Sequence, residues 1–346
     1  MWLERGDFNR LCSFDGGFEA MGWILHPDEP AKSVQVSVDG TVLGEAAPSP
    51  REDVGSAFPW IAHGRLSGFR FRLPAPKTRS EITVTARKGR KELARIRAVV
   101  APEFEGLPVP GPALLSRILP APDPFLYQAS GLFSYACFLS ALSGRVDLST
   151  CPRMLDWGCG SGRLSRLFLA SRPGPEVFGC DVDAESVEWS RQNLAGGQFQ
   201  QTGFLPPLPY SDGFFPLVIA YSVFTHLKRE TQLAWLEEMG RILAPGGLLL
   251  ASVHGPLAAS CAFPAPERSH WARRFGRRPL PAVLGDGFFD AGEDPALDGI
   301  APTGYYRGVF QTPEWTRREW TRSFRVLEVL EGGMNRHQDL VVLERR

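Results

Sequence analysis

The stretch Asp156-Trp157-Gly158-Cys159-Gly160-Ser161-Gly162 constrains the fold more than any other part of the chain. The apolar run Arg153-Met154-Leu155 leads into it, and a helical pattern opens behind it at Leu164-Ser165-Arg166-Leu167-Phe168-Leu169. Strand, glycine loop and helix in that order make a nucleotide-type binding turn. Glycine permits positive φ and lets a ligand come where a Cβ would collide. A dinucleotide fingerprint is spaced G-x-G-x-x-G, whereas here the glycines alternate and an acid, Asp156, precedes them. That acid repels a pyrophosphate and attracts an ammonium or a sulfonium.

Strands and helices alternate from this point on. The pattern predicts strands at 153–157, 176–181, 199–202, 217–221 and 248–253, with helices at 162–171, 184–193 and 229–243. Two late strands follow, Phe324 to Leu330 and Asp339 to Leu343. Such alternation implies an α/β fold with a mainly parallel sheet and a ligand at the carboxyl ends of its strands. The second strand ends in Asp181, 21 residues after Gly160. An acid there accepts both hydroxyls of a ribose, whether of a nicotinamide or a methyl-donor cofactor. Asp183 is placed to cap the next helix.

The pattern D-x-G-x-G-x-G resembles motif I of class I S-adenosylmethionine (SAM)-dependent methyltransferases. The run from Thr202-Gly203-Phe204-Leu205-Pro206 through Tyr221-Ser222-Val223-Phe224-Thr225-His226-Leu227 resembles that family's segment from the adenine-side loop into motif IV. Pro216 stands where the family has an acid at the start of the fourth strand, which a strand tolerates at its first residue. The resemblance spans residues 150–346. It implies a Rossmann-like, seven-stranded methyltransferase sheet and SAM as cofactor. On that reading Asp156, Gly158, Cys159, Gly160, Gly162, Asp181, Val182, Gly203, Phe204 and Tyr221 hold the cofactor. Phe204 either stacks on adenine or packs in the core.

Methyl transfer is chiefly a matter of positioning. A hydroxyl acceptor must also lose a proton, and histidine suits that task. His226, one turn beyond Tyr221, and His254, at the end of the fifth strand, are the candidate catalytic bases. Tyr305, Tyr306 and Arg307 are placed to line the acceptor pocket. Asp286, Asp290, Glu293, Asp294 and Asp298 have no metal-ligand spacing, so no metal is expected and they read as lid surface.

Residues 1–101 predict a separate, small all-β sandwich. Val34 to Val38 alternates, turns at Asp39-Gly40 and returns as Thr41 to Gly44; further alternating runs lie at 17–25, 68–73, 81–86 and 93–100. Gly22-Trp23-Ile24-Leu25, Val36-Ser37-Val38-Asp39-Gly40 and Gly68-Phe69-Arg70-Phe71 resemble a β-sandwich module found beside enzymes of bacterial surface-glycan assembly. A structural or dimerising role and glycan binding both remain open for it. Residues 102–124 carry seven prolines and read as an extended linker. The methyltransferase domain is then 125–346, with a helix at 125–147 that caps the cofactor or only packs on the sheet, and a lid insertion at 255–310. Tyr127 and Tyr135 are the polar-tipped candidates on that helix.

Lys plus Arg and Asp plus Glu number 38 each, so charge gives no support for a nucleic-acid or anionic-membrane partner. The local basic group Arg268, Arg273, Arg274, Arg277 and Arg278 reads as a solvated face. Six scattered cysteines without a CxxC pair suggest reduced thiols and a cytoplasmic setting. The first residues are too polar for a signal peptide, and no stretch is expected to reach membrane-spanning length. The function expected is O-methylation of a glycan or sugar-bearing acceptor. The alternatives are a methyltransferase for a small secondary metabolite or amine, a non-catalytic SAM-binding scaffold, and, more distantly, a dehydrogenase.

Overall fold

The computed structural model describes residues 5–14, 17–58, 61–119, 122–262, 284–294, 297–334 and 337–346. The basic group at 268–278 lies outside them. The chain forms two compact units, Met1–Ser140 and Ala141–Arg346.

In the first unit the strands are β1 (Arg5–Phe14), β2 (Gly17–Leu25), β3 (Ser33–Val38), β4 (Thr41–Ala46), β5 (Ser49–Pro50), β6 (Leu66–Pro74), β7 (Ser80–Lys88) and β8 (Lys91–Val100). They make two four-stranded sheets, ordered β1-β2-β6-β5 and β4-β3-β7-β8, with every pairing antiparallel. Alternate burial is clear in β6, where Phe69, Phe71 and Leu73 are buried and Arg70 and Arg72 are exposed. The sequence reading had no β1, because its charges mask the alternation; Phe8 and Leu11 are its buried residues. Glu19 is buried on β2 between Arg10 at 3.2 Å and Arg70 at 2.8 Å, and those two partners hold its carboxyl below the ordinary value.

Two expectations about residues 102–147 are corrected. The proline-rich stretch is packed rather than extended: a 3-10 turn at Pro102–Phe104 and a short helix, α2 (Pro112–Leu115), bury Phe104, Leu115 and Leu119. The helix after it, α3 (Pro124–Leu142), stops at Leu142, and all but its last two residues belong to the first unit. Its apolar spacing meets the first unit's own aromatics. Phe133 sits edge-on to Phe8 at 5.8 Å, and the fully buried Tyr135 edge-on to Phe104 at 5.6 Å. Tyr127 is fully buried as well, so both tyrosines are core residues of that unit. Length and composition alone would let this helix cross a membrane, contrary to expectation, but 67% of it is buried inside the protein.

The second unit follows the predicted alternation. Its elements are β9 (Arg153–Trp157), α4 (Ser165–Ala170), β10 (Glu176–Asp181), α5 (Ala184–Asn193), β11 (Gln198–Gln201), β12 (Phe215–Ala220), α6 (Arg229–Ile242), β13 (Leu243–Val253), α7 (Pro256–Ala262), β14 (Phe288–Glu293), β15 (Arg307–Gln311), α8 (Pro313–Glu319), β16 (Phe324–Met334) and β17 (Gln338–Arg345). One seven-stranded sheet runs β11-β10-β9-β12-β13-β17-β16. The first five strands are parallel, and β17 is antiparallel to both its neighbours. Its central strands are apolar without alternation, as Leu217-Val218-Ile219-Ala220 shows, because both faces are covered. Pro216 lies where the β12–β13 register shifts, so it removes no regular ladder bond.

The strand order reverses between β9 and β12, which opens a crevice at their carboxyl ends. Asp183 caps α5 through the Glu185 amide, as the sequence predicts, and Thr312 caps α8 through that of Trp315. The described part of the lid insertion is ordered. β14 and β15 form an antiparallel hairpin, and the amide of Gln311 donates to the carbonyl of His254 at 2.8 Å. That bond lays β15 along the carboxyl edge of the main sheet.

Candidate active site

The loop after β9 holds itself together. Gly158, Gly160 and Gly162 all have positive φ, at 77°, 52° and 69°. A Cβ on Gly158 would stand 2.3 Å from Val223 Cγ2, and one on Gly162 would stand 2.2 Å from Leu194 Cδ1, so neither position accepts a larger residue. The amides of Gly158 and Cys159 donate to the carbonyl of Cys180 at 2.8 and 3.1 Å, and that of Gly162 donates to Cys159. The Gly160 amide donates to Asp181 Oδ2 at 2.7 Å, and the Asp183 amide to Oδ1 at 2.9 Å. Asp181 thus pins the loop. A carboxylate has about four acceptor sites, so it keeps capacity for ribose hydroxyls.

Asp156 is buried at the end of β9 and accepts a bond from Ser165 Oγ at 2.6 Å. Burial pushes its carboxyl up to about 6, with Asp181 adding to the shift and Arg163 opposing it. Burial also raises Asp181 above the ordinary carboxylate value. Buried Asp156 and half-buried Asp181, close together, favour a cation. Cys159 and Cys180 are buried thiols held well above their usual range, hence not nucleophiles. Val182 is half-buried and its carbonyl accepts from Gln201. Gly203 is exposed, and half-buried Phe204 meets Tyr305 edge-on at 5.0 Å. Tyr221 lies under the guanidinium of Arg163, 5.1 Å from ring centroid to Cζ.

The second half of the site forms around β15. His226, in a 3-10 turn at Phe224–His226, donates from Nδ1 to the carbonyl of Arg307 at 2.8 Å. Tyr306 stacks on its ring at 3.9 Å and 13°. His254 donates from Nδ1 to the carbonyl of Val309 at 3.1 Å and lies against Phe310. A carbonyl only accepts, so both imidazoles carry their proton on Nδ1 and have Nε2 as the basic nitrogen. Burial moves His226 down to about 4 and His254 well below its ordinary value, so both are neutral near pH 7.

The two histidines then part ways. His254 is 6% exposed, and its Nε2 faces the amide nitrogen of Gln338 at 3.5 Å. The same amide nitrogen donates to Ser222 Oγ at 3.0 Å, and the Ser222 amide donates to Ser252 Oγ. Ser222 is one of two non-glycine residues with positive φ among the described residues, at the end of β12. Asp294 lies 4.0 Å from Nδ1 of His226, each side chain 13% exposed.

Three expectations change here. Arg307 does not offer its charge to an acceptor; it pairs with Asp290 at 2.6 Å across the hairpin. Asp290 is exposed, as expected for lid surface, whereas Asp294 is half-buried beside His226. Tyr305 meets the cofactor-side Phe204, while Tyr306 serves His226. Gln338, Ser252 and Asp294 were not picked out from the sequence as site residues. They come from β17, from β13 and from just after β14.

Residues 154–247 match the family model described as a methyltransferase domain. Among curated proteins the chain is similar to the trans-aconitate 2-methyltransferase of Methylobacterium nodulans, 34% identical over 110 residues, covering 31% of this chain and 40% of that protein. It is also similar to the methyltransferase GfsG of Streptomyces halstedii, 32% identical over 110 residues, covering 30% and 38%. The chain thus spans about two-fifths of the length of these relatives. Among solved structures, a SAM-dependent methyltransferase from Mesorhizobium loti is 18% identical with a TM-score of 0.42, over 60% of this chain and 98% of that one. The crevice fits SAM: a loop that excludes side chains, the acid Asp156 beneath it, and Asp181 with acceptor capacity left for ribose hydroxyls.

Proposed function

We propose that this chain is a SAM-dependent methyltransferase that methylates a hydroxyl of a glycan or sugar-bearing acceptor. The observation that carries it is His226, a neutral imidazole whose proton is fixed on Nδ1 by the Arg307 carbonyl, with Nε2 left unprotonated. Bound SAM supplies a methyl group on a sulfonium, already activated for displacement. Asp181 and the glycine loop would hold the donor, and the charge of Asp156 beneath the loop would favour its sulfonium. Nε2 of His226 would take the proton that the acceptor hydroxyl gives up. His254, whose Nε2 meets Gln338, shapes the pocket instead.

A neutral acceptor is favoured because Arg307, the cation expected to meet it, is committed to Asp290. The glycan identity rests on the resemblance of the first unit, which we assign to docking the acceptor or to dimerisation. Described cysteines outside disulfides fit a cytoplasmic setting.

The test incubates the full chain with SAM and a panel of methyl glycosides, hydroxylated small metabolites and amines, following S-adenosylhomocysteine release. Glycosides turned over in preference support the proposal. Turnover of amines alone replaces it with N-methylation. S-adenosylhomocysteine binding without any transfer replaces it with the scaffold role, and NADH binding with a dehydrogenase.

A further inference from the structure

We infer that Oε1 of Gln338 takes a hydrogen bond from a second hydroxyl of the methyl acceptor, so that the site selects a vicinal diol; this rests on the hydroxyl-methylation reading above. Gln338 opens β17 and is 5% exposed. A buried carboxamide is costly unless its nitrogen and its oxygen both find partners. The nitrogen does: it donates to Ser222 Oγ at 3.0 Å and faces His254 Nε2 at 3.5 Å. The oxygen does not, and has no hydrogen-bond partner among the described residues. The histidine fixes which end of the carboxamide is which. Its proton is on Nδ1, donated to the Val309 carbonyl, so Nε2 only accepts and is met by the amide nitrogen.

The carboxamide meets Ser222 at the carboxyl end of β12 and His254 at that of β13, and the ring of His254 lies 6.1 Å from the ring of His226. Ser222 is itself held firmly. Its φ of 60° is one that a non-glycine residue keeps only where its neighbours enforce it, and its amide donates to Ser252 Oγ at 2.7 Å. This end therefore offers a ligand two hydrogen-bond acceptors, Nε2 of His226 and Oε1 of Gln338, while the cation of Arg307 is paired with Asp290. Two acceptors match two donors. A sugar ring carries hydroxyls on neighbouring carbons: one would give up its proton to His226 as it is methylated, and the next would donate to Gln338. A substrate without that neighbouring hydroxyl leaves the buried oxygen unpaired, which is a strong source of discrimination between close analogues.

Steady-state methyl transfer by the full chain tests this. The probes are methyl α-D-mannopyranoside, methyl α-D-glucopyranoside and methyl β-D-galactopyranoside, each beside the monodeoxy analogues that lack a hydroxyl next to the methylated one. Removing that hydroxyl should lower kcat/KM of the wild type by about 10–100-fold. Gln338→Met should lose about the same factor on the parent glycoside and change the deoxy analogue less than about threefold, so the preference collapses, while calorimetry finds S-adenosylhomocysteine affinity unchanged. Gln338→Glu, which keeps an oxygen acceptor, should retain part of the preference. The inference is overturned if the wild type transfers equally well to parent and deoxy analogue, if Gln338→Met keeps the preference, or if it slows both substrates equally, the mark of a structural role. If Gln338→Met no longer binds S-adenosylhomocysteine, its fold is disturbed; a preference retained in Gln338→Glu then supports the inference and a preference lost there overturns it. No transfer to any of the glycosides removes the glycan reading itself, and this inference with it.

Discussion

The proposed donor and acceptor ends of the crevice are built in opposite ways. The donor end is a local device. Its loop is seven residues long, its bonds close within the loop or onto the end of β10, and its glycines are required by φ and by contact. The acceptor end is assembled across the chain. Its two histidines are oriented by carbonyls 81 and 55 residues away, both on β15. A backbone carbonyl needs no particular residue, so the strand that sets both tautomers leaves no mark in its own composition. A local site writes itself into residue types; a distributed one is written into topology.

That contrast can be broken most sharply at His226. If the acceptor end is chemically separate from the donor end, His226→Ala should lower kcat by about 10²–10⁴, the range of a lost general base, and leave S-adenosylhomocysteine affinity unchanged. A matching loss of cofactor affinity would merge the two ends. Gly158→Ala attacks the other side. With φ at 77° and Val223 2.3 Å from the new carbon, it should cost about 2–4 kcal/mol of stability and abolish cofactor binding. Urea unfolding and calorimetry read both quantities, and a stable variant that still binds cofactor would show the loop to be less constrained.

The donor end should also carry a pH signature. Asp156 titrates near 6 when folded, against about 3.9 unfolded. Its contribution to stability is therefore full below about pH 3.9 and is lost as pH rises through about 6. Asp156→Asn should stabilise the cofactor-free protein by about 1–3 kcal/mol at pH 8, with the gain vanishing near pH 4, and should weaken cofactor binding. Equal melting shifts at both pH values would contradict this. The smallest effect is expected at His254, whose two ring nitrogens both meet protein groups. His254→Gln should slow transfer less than about tenfold. A loss as large as that of His226→Ala would return the base role to His254.

Much of the fold was legible because its causes are periodic. Strand–helix alternation after Arg153 yielded the strands of the sheet, the largest miss being β13, which starts five residues earlier than expected, and Asp183 announced its cap. Beyond periodicity the reading failed. Prolines at 102–124 suggested an extended linker, yet Phe104, Leu115 and Leu119 fold that stretch into the first unit's core. An apolar helix looks the same whether it covers a cofactor or completes a β unit, and only the partners of Phe133 and Tyr135 assign α3 to the latter.

The sequence by itself determined the donor end, since alternate glycines behind an acid, with a second acid at the next strand's end, leave little freedom in backbone or charge. Tertiary structure alone decided the acceptor end. Which histidine keeps a basic nitrogen, that Arg307 faces Asp290, and that Asp294 flanks His226 all follow from where β15 comes to lie. Hydrogen bonds to backbone and pairings between distant strands depend on position in space, and a one-dimensional pattern does not encode them.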